Sequence, residues 1–177
     1  MKRLLFAASL VLVSSPLFAQ SIPRTTEFQQ VPPVARTVSL AGPRFGITLL
    51  TDQMVNKIEK DAGVSLNNGI SQFGWQFEKQ FYAKGDGPTV LNEWVVLAGG
   101  LDQGVFLPSM SWLVGVRTHE GAEFGIGPNV SASGVGLVLA AGMTLRAGVL
   151  NVPMNFAVVP SRLGPRVSVL TGFTLRH

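Results

Sequence analysis

The chain has 177 residues, of which 46% are hydrophobic and 14% charged, with a formal net charge of +4 and no cysteine. The missing cysteines exclude disulfides and thiol chemistry. Setting aside Lys2 and Arg3 leaves twelve Lys and Arg against ten Asp and Glu, a net of +2 that is no nucleic-acid footprint.

Lys2 and Arg3 form a short cationic region, Leu4 to Val13 an apolar one, and Ser15, Pro16, Leu17, Phe18 and Ala19 lead to a cleavage point before Gln20. That is the order of a secretory leader, so residues 1–19 are expected to export the chain. The apolar stretch falls short of the roughly 20 residues of a spanning helix. No cysteine stands at the cleavage point to take a lipid anchor. Residues 20–36 are polar and aperiodic, with Pro23, Pro32 and Pro33, and read as an extended lead-in. Residues 37–177 are expected to form one domain. Their mean hydropathy cannot come from a long apolar run, because there is none, and must be spread over many short segments.

About eight such segments follow. The first, around Arg44 to Leu50, is short. Thr51 to Gly63 breaks the strand pattern: Met54, Val55, Ile58 and Ala62 share one side, Thr51 or Asp52 can cap, and Gly63 suits the position after the helix. One short amphipathic helix is expected there, either lying on a surface or covering one end of the fold.

Ile70 to Tyr82 is the clearest strand. Gln72, Gly74, Gln76, Glu78 and Gln80 alternate with Phe73, Trp75, Phe77 and Phe81, a period of two that no helix can use. Lys79 is the exception, falling on the apolar side. Glu93 to Leu101 and Ser109 to Arg117 set Trp94 and Trp112 among apolar residues on one face, with a mixed second face. Glu123 to Ser131 alternates cleanly, with Gly125, Gly127 and Asn129 on its polar side. Val135 to Arg146, Leu150 to Val158 and Val167 to Arg176 complete the series. The connections are tight and rich in Gly, Asp, Asn and Pro, as antiparallel hairpins allow.

Eight sequential hairpin strands must hide their edges, and an all-β, up-and-down antiparallel barrel with one helix after its first strand is the simplest closure. In water the apolar face would turn inward, with Phe73, Trp75 and Phe77 around an apolar ligand, as in a soluble periplasmic or secreted barrel. In lipid that face turns outward. Strand length favours lipid, since a tilted crossing takes roughly 9–11 residues. So do the aromatics Phe73, Trp75, Phe77, Trp94, Trp112 and Phe173, which would form an interfacial belt. The in-strand charges Glu78, Glu93, Glu123, Arg117, Arg146, Arg166 and Arg176 fall mainly on the other face, where they can pair within a lumen.

The runs EFGIGPNVS, GVGLVLAAGMTLRAG and VSVLTGFTLRH resemble strands of small bacterial outer-membrane barrels of the OmpA membrane-domain and OmpX type. Gly172, Leu175 and His177 match in part the C-terminal assembly signal of that family, with His177 in place of the usual Phe. The resemblance implies membrane lipids and the outer-membrane assembly machinery as partners, and it implies no particular activity.

No cofactor is expected, and no metal site, because His119 and His177 lack a second ligand at metal spacing apart from the adjacent Glu120. A lipid-modifying barrel enzyme would need His119 to meet Ser109 or Ser111 and an acid such as Glu120. Gly125-Ile126-Gly127 and Gly134-Val135-Gly136 open no helix and carry no following Lys, so they are not phosphate loops. The leading expectation is a non-catalytic outer-membrane barrel with a structural, adhesive or envelope-integrity role.

Overall fold

A computed structural model describes residues 39–83, 87–147 and 149–175, apart from the side chains of Ala83, Arg146 and Ala147. The expected leader and lead-in lie outside the described residues. Strand β1 (Gly42–Leu49) is followed by helix α1 (Asp52–Ala62), then by β2 (Gly69–Ala83) and β3 (Thr89–Gly99). A one-turn 3-10 helix at Leu101–Gln103 leads to β4 (Leu107–Arg117), β5 (Ala122–Ser131), β6 (Gly134–Ala147), β7 (Leu150–Val159) and β8 (Arg166–Gly172). After a break at Phe173, Thr174–Leu175 continues β8 in the same register against β7. Each strand pairs antiparallel with the next, and β1 pairs with β8, closing an eight-stranded barrel.

The sequence places Leu101 in a strand, but the chain leaves β3 earlier because Gly100 turns it with a positive φ of 77°. The exposed Asp102 in that turn accepts from the Ser71 hydroxyl at 2.5 Å, which holds its carboxyl below the ordinary range.

Register fixes the geometry of closure. Leu107 pairs with Gly99, Gly99 with Gln72, and Gln72 with Gly46. From Gly46 the partners run through Leu170, Asn155, Gly142 and Glu123 to Arg117. The circuit returns to β4 ten residues from its start, a shear of 10. Ten residues at about 3.3 Å against eight strands at about 4.8 Å tilt the strands by roughly 40° from the axis. At that tilt a residue climbs about 2.5 Å, so an apolar band of about 25 Å takes about ten residues. Strands β2 to β7 have 10 to 15.

The two faces separate as the alternation requires. Phe73 and Trp75 are 61% and 47% exposed on the outside, whereas Gln76 between Trp75 and Phe77 is 1% exposed inside. Phe45, Ile47, Leu49, Phe124, Ile126, Leu137 and Leu139 continue the outer apolar surface around the barrel. The inward placement of Phe73, Trp75 and Phe77 required by a ligand-carrying soluble barrel is not what the chain adopts.

The interior is layered. At the end that carries Gly42 and Leu175, here the terminal end, it is charged. Its waist is apolar, formed by Val95, Leu97, Leu113, Val138, Val159 and Leu170. This explains the mixed second faces of β3 and β4: one face of a strand passes through both polar and apolar levels. The opposite, helix end is covered by α1, whose Met54, Val55 and Ile58 pack with Leu50, Leu66, Ile70, Val105 and Leu107.

Ala62, expected on that apolar side, is exposed, as are Gln53, Asn56, Lys57 and Lys60. Gly63 ends the helix with φ 66°, its N–H donating to Glu59 O at 2.8 Å. Thr51 occupies the N-cap position, but its hydroxyl makes no cap bond and donates instead to Leu163 O, tying α1 to the loop between β7 and β8.

Glycine shapes the wall where strands approach closely. The β4–β5 ladder skips Trp112 and Leu113 opposite Gly127 and Pro128, and a Cβ on Gly127 would stand 1.8 Å from Trp112 O. Backbone occupies the space of any side chain there. Gly127→Val is therefore expected to prevent closure, read as loss of the folded, heat-modifiable band in cold SDS gels. Gly69→Ala, a control at which a Cβ meets only Leu49 Cδ2 at an ordinary 3.8 Å, retains that band.

Candidate functional site

The terminal-end lumen brings together Glu78, Glu93, Glu123 and Arg117. Arg117 ends β4 one step from the 118–121 turn, directly opposite Glu123 at the start of β5. Its guanidinium donates to Glu78 Oε2 at 2.5 Å and to Glu123 Oε1 at 2.7 Å, while the Glu78 side chain is wholly buried. Thr144 from β6 donates to Glu123 at 3.2 Å, and Gln80 donates to Glu78 at 3.0 Å.

A second chain runs beside the first. Arg44 Nε donates to Gln76 Oε1 at 3.0 Å, and Gln76 Nε2 donates to Glu93 Oε1 at 3.0 Å. Arg44 also holds the entering segment, donating to Leu40 O at 2.5 Å, and the Leu40 N–H reaches Glu78 Oε2 at 3.3 Å. Leu40 is itself buried. The terminal end is thus stoppered by the chain's own entry and by two arginines interlocked with three carboxylates.

Arg44 is absent from the expected charge set, although its signal was present: Phe45, Ile47 and Leu49 alternate with Arg44, Gly46 and Thr48. Room for it comes from Gly172, its register partner, where a Cβ would stand 2.7 Å from Arg44 Nη1 and 2.2 Å from Pro43 O. Gly172 therefore has a packing role, whatever its part in assembly. Leu175 faces outward and is exposed, and His177 lies outside the described residues.

Arg166 does not join the network. Parity gives it the lumen face, but it begins β8 at the helix end, with the apolar waist between it and the carboxylates. There it donates to Ser131 and Ser133 Oγ and to Asn129 Oδ1. The Arg146 side chain and the whole of Arg176 lie outside the described residues.

The expected aromatics Phe73, Trp75, Phe77, Trp94, Trp112 and Phe173 all stand outward. Trp94 and Trp112 are register partners on β3 and β4, stacked with centroids 5.8 Å apart, and Phe77 lies opposite Trp94 on β2. Trp112 Nε1 donates to Asn92 Oδ1 at 2.5 Å, and Asn92 faces Lys79 across the β2–β3 ladder. The exposed Lys79 thus belongs to a small polar and aromatic cluster.

His119 lies in the exposed 118–121 turn at the terminal end, while Ser109 and Ser111 accept from Asn129 Nδ2 inside the helix-end lumen. From Ser111 the strand runs six residues on to Arg117, about 20 Å, before the turn that holds His119, so these groups do not meet. Among the described residues no group of three or more His, Cys, Asp and Glu could hold a metal ion. No protein-family model, curated protein or solved structure matches this chain.

Removing one member of a buried ion pair leaves a bare charge in a dry interior, at a cost of about 3–5 kcal/mol. Arg117→Gln is expected to lower unfolding stability by that order in denaturant titrations of the folded protein. Lys57→Gln, which removes the exposed pair with Asp61 on α1, costs less than about 0.5 kcal/mol.

Proposed function

We propose that this chain is an outer-membrane β-barrel of the OmpA membrane-domain and OmpX type, with a structural, adhesive or envelope-integrity role and no catalytic centre. The observation that carries the proposal is the outer surface: apolar side chains stand exposed on every one of the eight strands. Exposed apolar patches on soluble monomers rarely exceed a few hundred Å². A closed wall of them calls for an apolar solvent, and a barrel leaves no unpaired backbone edge within it.

Trp94 and Trp112 stand sixth of the eleven residues of β3 and β4, in the middle of that band, where Asn92 satisfies the Trp112 N–H.

Loop lengths suggest an orientation. The turn at 118–121 is short, whereas the helix end carries residues 50–68, 100–106 and 160–165 beside the two-residue turn 132–133. Membrane barrels keep short turns on the periplasmic side and longer loops outside. In this reading α1 faces the exterior, its exposed Lys57, Lys60 and Asp61 presenting a charged lid. An interior filled at both ends supports a scaffold rather than a pore. Eight strands enclose a space just wide enough for side chains to fill.

Cell fractionation tests the reading. The protein is expected in the outer-membrane pellet, resistant to salt and carbonate washes, and released by detergent in a form whose gel mobility changes on boiling. Recovery from the periplasm without detergent would refute it and revive the soluble barrel.

A further inference from the structure

We infer that the helix-end lumen is a binding site for a small monovalent inorganic anion of halide size, held by Arg166. The inference does not depend on which solvent surrounds the barrel. It starts from a difference between two interior arginines. Arg117 is neutralised by Glu78 and Glu123, whereas Arg166, only 7% exposed, is held by two serine hydroxyls and an asparagine carbonyl, all neutral. A cation placed in a dry interior without a counter-charge is among the most costly arrangements a fold can adopt, and an anion beside it removes most of that cost.

The space for one is present. A cavity of about 50 Å³ lies inside the barrel against Arg166, and its polar lining contains no Asp or Glu. One water-sized site takes roughly 10–15 Å³, so a halide-sized ion fits together with a water or two. A multiply charged anion does not suit: the single cation would leave its remaining charge buried.

Several neutral groups around the cavity are supplied as donors, while Asn155 Oδ1, buried and unpartnered among the described residues, is an acceptor. Ser109 and Ser111 accept from Asn129 Nδ2 at 3.1 and 2.8 Å, which leaves both hydroxyl hydrogens to donate. The Asn129 orientation is fixed because its Oδ1 accepts from Arg166. Gln72 accepts from Thr48 at 2.6 Å through Oε1, and its amide N–H groups are uncommitted among the described residues. Arg166, Ser109, Ser111 and Gln72 thus present positive charge and donor hydrogens to one cavity. A smaller void of about 20 Å³ shares Gln72, Ser109 and Arg166 with it and reaches Ile58 of α1 and Ser133 of the β5–β6 turn, so entry is from the helix end.

The test titrates the folded protein with sodium bromide against sodium gluconate at constant ionic strength and follows thermal unfolding. Bromide is expected to raise Tm saturably, with the rise abolished in Arg166→Gln and kept in Arg162→Gln, a nearby surface control. A response that does not saturate, or one equal in R166Q and the parent chain, overturns the site. Should R166Q fail to fold, Ser111→Asp decides. A carboxylate built into the cavity replaces the anion and removes the bromide dependence, and an unchanged dependence counts against the proposal. Bromide-soaked crystals give a direct reading: an anomalous peak within hydrogen-bond distance of the Arg166 guanidinium is expected, and its absence refutes the site.

Discussion

A strand edge left unpaired in an apolar surrounding is costly, and in this chain the pairing of β1 with β8 removes the last such edge. Everything else is conditioned by the way that seam closes. The shear of 10 carried by the register tilts the strands, sets the barrel's width and gives each strand one face toward an interior only side chains can fill. At the seam, Arg44 lies opposite Gly172, and the largest wholly buried side chain among the described residues fits because its partner has none. Small residues elsewhere on the inner face serve the same end. Gly127 allows β4 and β5 to come within backbone contact, and Gly142 makes way for Asn155, whose Oδ1 a Cβ there would meet at 2.4 Å.

A filled interior then has to be satisfied level by level. At the terminal end, two arginines and three carboxylates are joined through Gln76, Gln80, Thr144 and the Leu40 backbone, and such a network is stabilising only because its members bond one another. The waist is mainly apolar, although Asn155 stands among its side chains with its Oδ1 unpartnered among the described residues. At the helix end the apolar side of α1 forms a second core over the barrel mouth, and its polar side is left to water. Arg166 sits between waist and lid, bonded to neutral groups, with no carboxylate against it among the described residues.

Much of this was legible in the sequence. The alternation of Phe73, Trp75 and Phe77 with Gln72, Gly74 and Gln76 specified a strand with two unlike faces, and the short Gly- and Asp-rich connections specified antiparallel neighbours. The helix after β1 followed from the spacing of Met54, Val55 and Ile58 and from Gly63. What periodicity does not carry is depth. It assigned Arg166 and Arg117 to the same face but could not separate them along the axis, so one expected network became a network and a solitary cation. Arg44 was overlooked because β1 is short, although its parity is as clear as that of β2. Whether α1 lies on a surface or closes the barrel depends on contacts with Leu66, Ile70 and Val105 that no local pattern encodes.

Two solvents on two faces is the claim from which the proposed role follows, and side-chain accessibility in a bilayer measures it directly. Because the chain has no native cysteine, single spin labels can be placed through Trp75→Cys and Leu139→Cys on the outer face and Asn56→Cys on α1. In lipid vesicles, labels at 75 and 139 should collide readily with dissolved oxygen and scarcely with a water-soluble nickel chelate, while the label at 56 shows the reverse. Nickel access at positions 75 and 139 equal to that at 56 would contradict the membrane-spanning barrel.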